Sequence, residues 1–419
     1  MQPVILLTMN ILVIGLGKLG LPIAAVLADA GHTVTAFDKS KDLIHILKTN
    51  CYVSAEPELI NLLNINSEKI FFYSDLTNDI VNQIDAAFII VPTPSLADGR
   101  FSNEFVLEAI HDLGKILQAK KSRTVICIVS TVMPGSCDGE IKQALETSYG
   151  GKTGDLIGLC YHPEFIALGS VVENLRNPDF NLIGSEQDWA ADQLIAILDS
   201  ASQKKVESMR LRLLEAELVK ISINNFITLK ISFANSLMQV CESMGDIRIE
   251  RLMTAIGCDS RIGSKYIKAS VPYGGPCFPR DTKAMSYLFE RAKIPYSLSE
   301  VTSKINDSHL LYLLKKVESK IEKNSIIGVL GISYKTGTQV IEESPGVKIV
   351  QALNDKGFDV VTWDDEGAYI LTSSILNLSL NSILERADYF VITRPCKNLP
   401  EIKQKILQKN KKFIDLWSL

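Results

Sequence analysis

Nowhere in its 419 residues does the chain carry an apolar run of the roughly 18 residues or more that a membrane span requires. The eight cysteines, at positions 51, 127, 137, 160, 241, 258, 277 and 396, form no CxxC pair and no regular spacing, and the five histidines are scattered. Neither a disulfide framework nor a zinc site is expected, and a reducing cytoplasm is the natural compartment. An excess of basic residues is also missing. Forty-four Lys and Arg against 48 Asp and Glu leave a net charge of −4, which offers no global field for nucleic acid. There is no repeat of fixed short period and no low-complexity segment. The apolar run Pro3 to Leu7 lacks a basic n-region and leads straight into a glycine-rich signature, so it is not expected to be a signal peptide, and Met9 is a candidate start.

What is present reads as a soluble globular enzyme. The length exceeds one ordinary hydrophobic core, so two or three domains are expected. Short β-rich runs alternate with helical stretches from Asn10 to about Gly184, with strands expected at Ile11–Ile14, Thr33–Phe37, Ile70–Tyr73, Ala86–Val91, Thr124–Val129 and Leu156–Leu159. That alternation predicts a parallel, doubly wound sheet. From about Leu211 to Met244 the pattern becomes one long helical stretch without proline, with more helix through Ile256. From about Ser325 strands return, at Ile326–Leu330, Val360–Trp363, Tyr389–Thr393 and Phe413–Leu416. The expected plan is α/β, then all-helical, then α/β, with boundaries at 1–205, 206–305 and 306–419.

Three segments carry chemistry. Residues 11–20, I-L-V-I-G-L-G-K-L-G, run a buried strand into Gly15-x-Gly17-x-x-Gly20 and then a helix. Glycines there allow a tight turn and close approach of a pyrophosphate, which the helix N-terminus faces. The next strand ends in Asp38, which suits the adenosine ribose hydroxyls and repels a 2′-phosphate, so NAD is preferred over NADP; Lys39 and Lys41 weaken that preference. In the long helical stretch Glu217, Lys220, Asn224, Thr228 and Asn235 recur on one face. Lys220 and Asn224, four apart, either present donors to one developing oxyanion or belong to a solvated stripe. Residues 271–284 read V-P-Y-G-G-P-C-F-P-R-D-T-K-A. A helix starting near Pro279 would set Cys277 by positive dipole and Arg280, favouring its thiolate. The bland reading of such a cysteine is a small buried hydrophobe.

Taken together with A-E-L-V-K-x-x-x-N, the R-I-G of Arg261–Gly263 and G-G-P-C-F-P-R-D, the chain resembles the UDP-glucose/GDP-mannose dehydrogenase family. The likeness extends to V-P-T-P (Val91–Pro94), S-T-V-M-P-G (Ser130–Gly135), H-P-E-F (His162–Phe165), Tyr334–Lys335 and the E-S-P ending in Ser344–Pro345. It implies an N-terminal Rossmann domain, a central helical dimerisation domain and a C-terminal Rossmann-like domain for the nucleotide sugar. The implied activity is oxidation of a sugar C6 alcohol to a carboxylate with two NAD+, through a thiohemiacetal and a thioester on Cys277. Lys220 would stabilise oxyanions with support from Asn224, Asp281 would hold a water, Glu164 would be the base for hydrolysis, and Thr131 would position water or cofactor.

The resemblance also implies cofactor contacts from Gly15, Gly17, Lys18, Leu19, Gly20, Asp38, Val91, Thr93, Pro94 and Thr131. Substrate contacts fall to Glu164, Phe165, Lys220, Asn224, Tyr273, Gly274, Gly275, Tyr334 and Lys335, and also to Arg261, Tyr266 and Lys268. The arginine would reach a neighbouring subunit's site, implying a homodimer at least. No metal, nucleic acid or membrane partner is implied. Pro276 before the cysteine resembles the UDP-glucose branch, with GDP-mannose and UDP-N-acetylhexosamines as alternatives, and the product class points to polysaccharide precursors. The chain departs from the family pattern at Leu168 and Glu342, where a glutamate and an arginine are common, and at Gln339 and Val340. The rival readings are a two-electron dehydrogenase that needs no cysteine and a non-catalytic nucleotide-binding protein.

Overall fold

The computed structural model describes residues 8–245, 247–322, 324–370 and 375–418, so the apolar run 3–7 lies outside the described residues. The chain forms two compact units, Met1–Lys220 and Ile221–Leu419.

The first unit is built on an eight-stranded sheet. Its strands are β1 (Asn10–Ile14), β2 (Thr33–Phe37), β3 (Ile70–Tyr73), β4 (Ala86–Ile89), β5 (Thr124–Ile128), β6 (Ile157–Tyr161), β7 (Asn181–Ser185) and β8 (Ser208–Leu211), in the order β3-β2-β1-β4-β5-β6-β7-β8. Because successive side chains of a strand point to opposite faces, a run apolar at every position needs cover on both sides. Strand β1 sends Ile11 and Val13 into one apolar layer and Leu12 and Ile14 into the other, and β4 divides Phe88 from Ala87 and Ile89 in the same way. Winding reverses between β1 and β4, which leaves a crevice beyond their C-terminal ends.

The sheet is not wholly parallel, as alternation alone had predicted. Strand β7 runs antiparallel to β6, and β8 parallel to β7. A parallel neighbour needs a crossover long enough to return the chain along the sheet. Between β6 and β7 the chain has only the six-residue helix Val171–Arg176, so β7 starts beyond the end of β6 and runs back. Leu211 ends β8, and the long helix starts two residues later as Leu213–Met244.

The first turns of that helix explain Glu217. The carboxylate is fully buried and accepts hydrogen bonds from the backbone N–H of Gly135 (2.6 Å) and of Cys137 (2.7 Å). It thereby fixes the loop after β5 that carries Thr131. Ser130 adds a second tie, its hydroxyl accepting from Val91 N–H (2.9 Å) and donating to Val91 C=O (2.7 Å).

The second unit joins helices and a smaller sheet. Strands β9 (Ile326–Leu330), β10 (Asp359–Trp363), β11 (Leu376–Asn377), β12 (Tyr389–Ile392) and β13 (Lys412–Asp415) are all parallel, in the order β11-β10-β9-β12-β13. Ala234 and Met238 of the long helix and Met253 of helix Ile249–Gly257 share one apolar layer with Ile327, Val329 and Ile349. Phe390 and Ile392 face the opposite layer. The fold is therefore α/β, with a Rossmann-like sheet at each end of the sequence and a helical segment between. Among the described residues no helix is long and apolar enough to cross a membrane.

Glu217→Gln should separate the carboxylate's role from that of its bulk. The amide keeps one acceptor oxygen and turns an N–H2 toward the second backbone N–H, a mismatch worth about 1–3 kcal/mol when buried. The urea midpoint of the first unit should fall accordingly, and an unchanged midpoint contradicts the anchoring role. Burial raises the Glu217 pKa, so its ionisation opposes folding. The wild type should lose part of its stability as pH climbs from the ordinary carboxylate range to the folded value, a slope absent from the amide variant.

Candidate active site

At the crevice of the first unit, geometry dictates the glycines. Gly15 has φ +93°, and a Cβ there would sit 2.2 Å from the Ile90 carbonyl oxygen; one on Gly20 would sit 1.8 Å from that of Gly15. Gly17 differs, since an added Cβ would meet nothing within 4 Å. That open space lies where the turn enters helix Gly20–Asp29, whose N-cap is Leu19, with Lys18 exposed beside it. Asp38, just past β2, receives the Leu16 N–H on Oδ2 (2.8 Å) and the Ser40 N–H on Oδ1 (2.9 Å). Each carboxylate oxygen retains an acceptor site for a ribose hydroxyl. Lys39 is paired with Glu108, which tempers the weakening of NAD preference expected from its position. Along the loops after β4 and β5, Val91 is half-buried, Pro94 is exposed, and Thr93 Oγ1 donates to the backbone carbonyl of Thr131 at 2.7 Å.

The same unit brings together three titratable groups, Lys220, Glu164 and His162. Lys220, 8% exposed, donates from Nζ to the Glu164 carbonyl at 2.6 Å and lies 4.6 Å from the centre of the Phe165 ring. Glu164 Oε1 is 3.2 Å from Nε2 of His162, whose Nδ1 is 2.9 Å from the Leu182 carbonyl. The loop that follows is held by Glu56, which accepts from the N–H groups of Gly169, Val171 and Val172.

In the second unit Cys277 is exposed at the N-cap of helix Phe278–Arg291, with Pro279 in the first turn. The helix therefore starts within one residue of the position that its proline predicts, and its positive end faces the thiol. One turn on, Asp281 is buried to 1% exposure; Asn224 Nδ2 donates to its Oδ2 at 2.6 Å and Arg280 Nε to its Oδ1 at 3.2 Å. Gly275, at φ +82°, packs against Tyr334, whose ring carbons would lie 2.5 Å from any Cβ there. Burial, with the nearby Cys277 sulfur second, pushes the Tyr334 hydroxyl up to about 12.

The loop reaching Cys277 is pinned by buried amides. Asn235 accepts from Ser270 N–H (2.9 Å), Asn306 accepts from Tyr273 N–H (2.8 Å) and donates to Tyr273 C=O (3.1 Å), and His309 donates to Ser270 C=O (2.7 Å). The polar stripe of the long helix is thus not solvated: Glu217, Lys220, Asn224, Thr228 and Asn235 are all buried.

Three family models match the chain: the UDP-glucose/GDP-mannose dehydrogenase family's NAD binding domain over residues 9–202, its central domain over 214–308 and its UDP binding domain over 328–419. The chain belongs to this family. A UDP-glucose 6-dehydrogenase of Rickettsia typhi is 30% identical over 425 residues, covering 97% of this chain and 95% of that one. One from Haloferax volcanii is also 30% identical, covering 85% of this chain and 83% of the relative. Among solved structures, a UDP-glucose dehydrogenase from Pyrobaculum islandicum superposes with a TM-score of 0.89 at 27% identity over all of this chain and 96% of that chain. A UDP-D-ManNAc dehydrogenase from Pyrococcus horikoshii, at 23% identity, shares the fold with a TM-score of 0.80, covering 98% of this chain and 95% of that one.

The protein is therefore an NAD-dependent nucleotide-sugar dehydrogenase, with a UDP-sugar-binding domain formed by its C-terminal sheet. Not every residue singled out by the family pattern gathers at these clusters. Arg261 is exposed and paired with Asp259 at 2.7 Å, Lys268 lies over the Trp417 ring, and Tyr266, at φ +64°, meets the edge of Phe278. Tyr273, expected to contact substrate, is 6% exposed and meets Phe278 edge-on. Lys335 lies over the Tyr334 ring, and Gly274 packs under the Glu343 carbonyl. Leu168 is half-buried and Glu342 exposed. His162 and His309, like the loop-holding Glu56 and Asn306, carry no role in the sequence pattern. His162 stood in the H-P-E-F motif, two before the glutamate, and His309 carried no motif at all.

Gly17→Ala should leave the melting temperature unchanged, because nothing crowds the new methyl, yet weaken NAD binding about tenfold or more (~1.4 kcal/mol). Calorimetric titration checks this, and full affinity would show that the cofactor does not use that space. Burial, the largest cause, lowers the His309 pKa, so the neutral ring that holds Ser270 resists protonation. Its stabilisation is present above the unfolded value, 6.5, and is lost as pH falls below it. His309→Asn should flatten that acid-side slope in thermal melts.

Proposed function

We propose that the enzyme oxidises the C6 alcohol of UDP-glucose to the carboxylate of UDP-glucuronate, through a thiohemiacetal and a thioester on Cys277. NAD, when bound, accepts the hydride in each of the two oxidations. Cys277 adds as thiolate to the carbon of the aldehyde, and the second oxidation converts that adduct to a thioester. Water then adds to the thioester carbon, and collapse breaks the C–S bond and returns the thiolate.

Each group contributes a distinct term. Lys220 opposes the negative charge that develops on the sugar oxygen, a task for a preorganised cation. Asn224 fixes Asp281, which orders water beside the sulfur, and Thr131 orients the water or the cofactor. Glu164 takes the proton of the hydrolytic water. The Gly274–Gly275 turn and the Tyr334 ring border the sulfur, while Phe165, Tyr266, Lys268, Tyr273 and Lys335 complete the nucleotide-sugar contacts.

The observation that carries this reading is the exposed Cys277 thiol at a helix N-terminus, with a buried, amide-held carboxylate one turn away. A simple two-electron dehydrogenase has no use for that arrangement. Choice of UDP-glucose is supported by the names of the relatives, which match most of the chain, and by Pro276 ahead of the cysteine. We further propose a homodimer. Arg261 is 87% exposed in its side chain, as a group that reaches a neighbouring subunit would be, and Phe226, Phe233 and Val240 expose apolar surface at seven-residue spacing on the long helix.

A panel of UDP- and GDP-sugars, followed by NADH absorbance, tests the substrate. UDP-glucose should yield two NADH per sugar and an acid product, and Cys277→Ser should lose acid formation. Preference for GDP-mannose or a UDP-N-acetylhexosamine would reassign the sugar; one NADH per sugar with an indifferent serine variant would overturn the covalent route.

A further inference from the structure

His162 follows β6 and is 4% exposed. Its Nδ1 lies 2.9 Å from the Leu182 carbonyl oxygen. A carbonyl only accepts, so Nδ1 carries a proton. Across the ring, Nε2 faces Glu164 Oε1 at 3.2 Å. Only two forms make that contact a hydrogen bond: an imidazolium donating to a carboxylate, or a carboxylic acid donating to a neutral ring. Both hold one proton between the two side chains, so the observed contact is that of the pair after it has taken up its proton. Without it, two lone pairs would face each other.

We propose that Glu164 and His162 work as a single proton acceptor, the proton of the hydrolytic water passing from the Glu164 carboxylate to Nε2 of His162. The surroundings fit a pair that cycles between charges of −1 and 0. His162 and Glu164 line a cavity of about 30 Å3, enough to hold a water. Its other walls are mostly apolar, with Ile23 and Val26 from helix Gly20–Asp29, Leu175 from helix Val171–Arg176 and Leu198 from helix Asp188–Ala201, and add only the uncharged polar side chains of Asn181 and Ser202. Those helices send no charged group into it. From β5 comes the Cys127 thiol, which burial keeps neutral by raising its pKa far above the ordinary value. Lys220 donates to the Glu164 backbone carbonyl.

An isolated carboxylate that took a proton here would have no internal group to share it with. The imidazole supplies one. Burial works against the charged ring, but the Glu164 charge and hydrogen bond, with the Leu182 carbonyl, outweigh it and raise the His162 pKa. In the balanced step, the water oxygen bonds to the thioester carbon, its proton enters the Glu164–His162 pair, and the C–S electrons leave with Cys277. The pair resets by releasing the proton to solvent. His162 is thus a positioning and proton-holding residue that acts through Glu164.

The role of the pair in hydrolysis rests on the reaction proposed above; its proton inventory does not, and the two are tested apart. In the full-length protein labelled with 15N in its histidine rings, Nδ1 of His162 should stay protonated across the titration while Nε2 alone changes. In Glu164→Gln that titration should move to lower pH by about one unit or more. A ring protonated on Nε2 with bare Nδ1, or a titration indifferent to Glu164, overturns the pair whatever the substrate proves to be. With UDP-glucose as substrate, His162→Gln, which can donate to Glu164 but cannot take a proton, should shift the rising limb of the kcat–pH profile toward acid by about one unit. Its plateau should fall about tenfold or more with KM little changed. An unmoved limb in a folded variant overturns the role in hydrolysis while leaving the dehydrogenase reading intact.

Discussion

A peptide N–H or C=O removed from water must find a partner, and the loops that carry chemistry here find theirs on side chains rather than on neighbouring strands. Glu217 serves the loop after β5, Glu56 the loop after Phe165, and Asn235, Asn306 and His309 the segment leading to Cys277. All but Glu56, which itself lies on a loop, come from helices, which are stiff, so the loops they hold inherit that stiffness. A cysteine on an exposed turn would otherwise sample many orientations. The same constraint explains why the long helix is polar along one buried face, where apolar residues would have left the loops' backbone unpaired.

Each unit carries a complete local environment. In the first, Asp38 stands beside a glycine turn, and Lys220, Glu164 and His162 are joined by close polar contacts. In the second, a thiol at a helix N-terminus stands with Asp281, Asn224 and Tyr334. In the four-electron oxidation proposed above, the first set would serve the hydride transfers and the activation of water, and the second the nucleophile that holds the product of the first oxidation.

Much of this was legible in the sequence. The β1 strand, its three glycines and Asp38 announced a dinucleotide site because tight backbone approach restricts the residue type, and the prolines around Cys277 marked the helix start. The reversed β7 was not legible, since N-L-I-G-S is buried alike in either direction. Strand β8, S-M-R-L, lies at the sheet edge with Met209 and Arg210 exposed, and so shows no apolar run. Helical periodicity assigned Lys220 and Asn224 to one face but could not say what that face meets. Their burial comes from loops far away in sequence, as does the contact between His162 and Leu182.

The covalent thioester is the claim on which the rest turns. Blocking the base should let it accumulate, so Glu164→Gln mixed with UDP-glucose and NAD+, quenched in acid and digested, offers the most direct view. The account predicts that the peptide containing Cys277 gains the mass of a UDP-glucuronyl group and loses it on treatment with hydroxylamine. An unmodified Cys277 peptide, recovered while NADH has been formed, would contradict it.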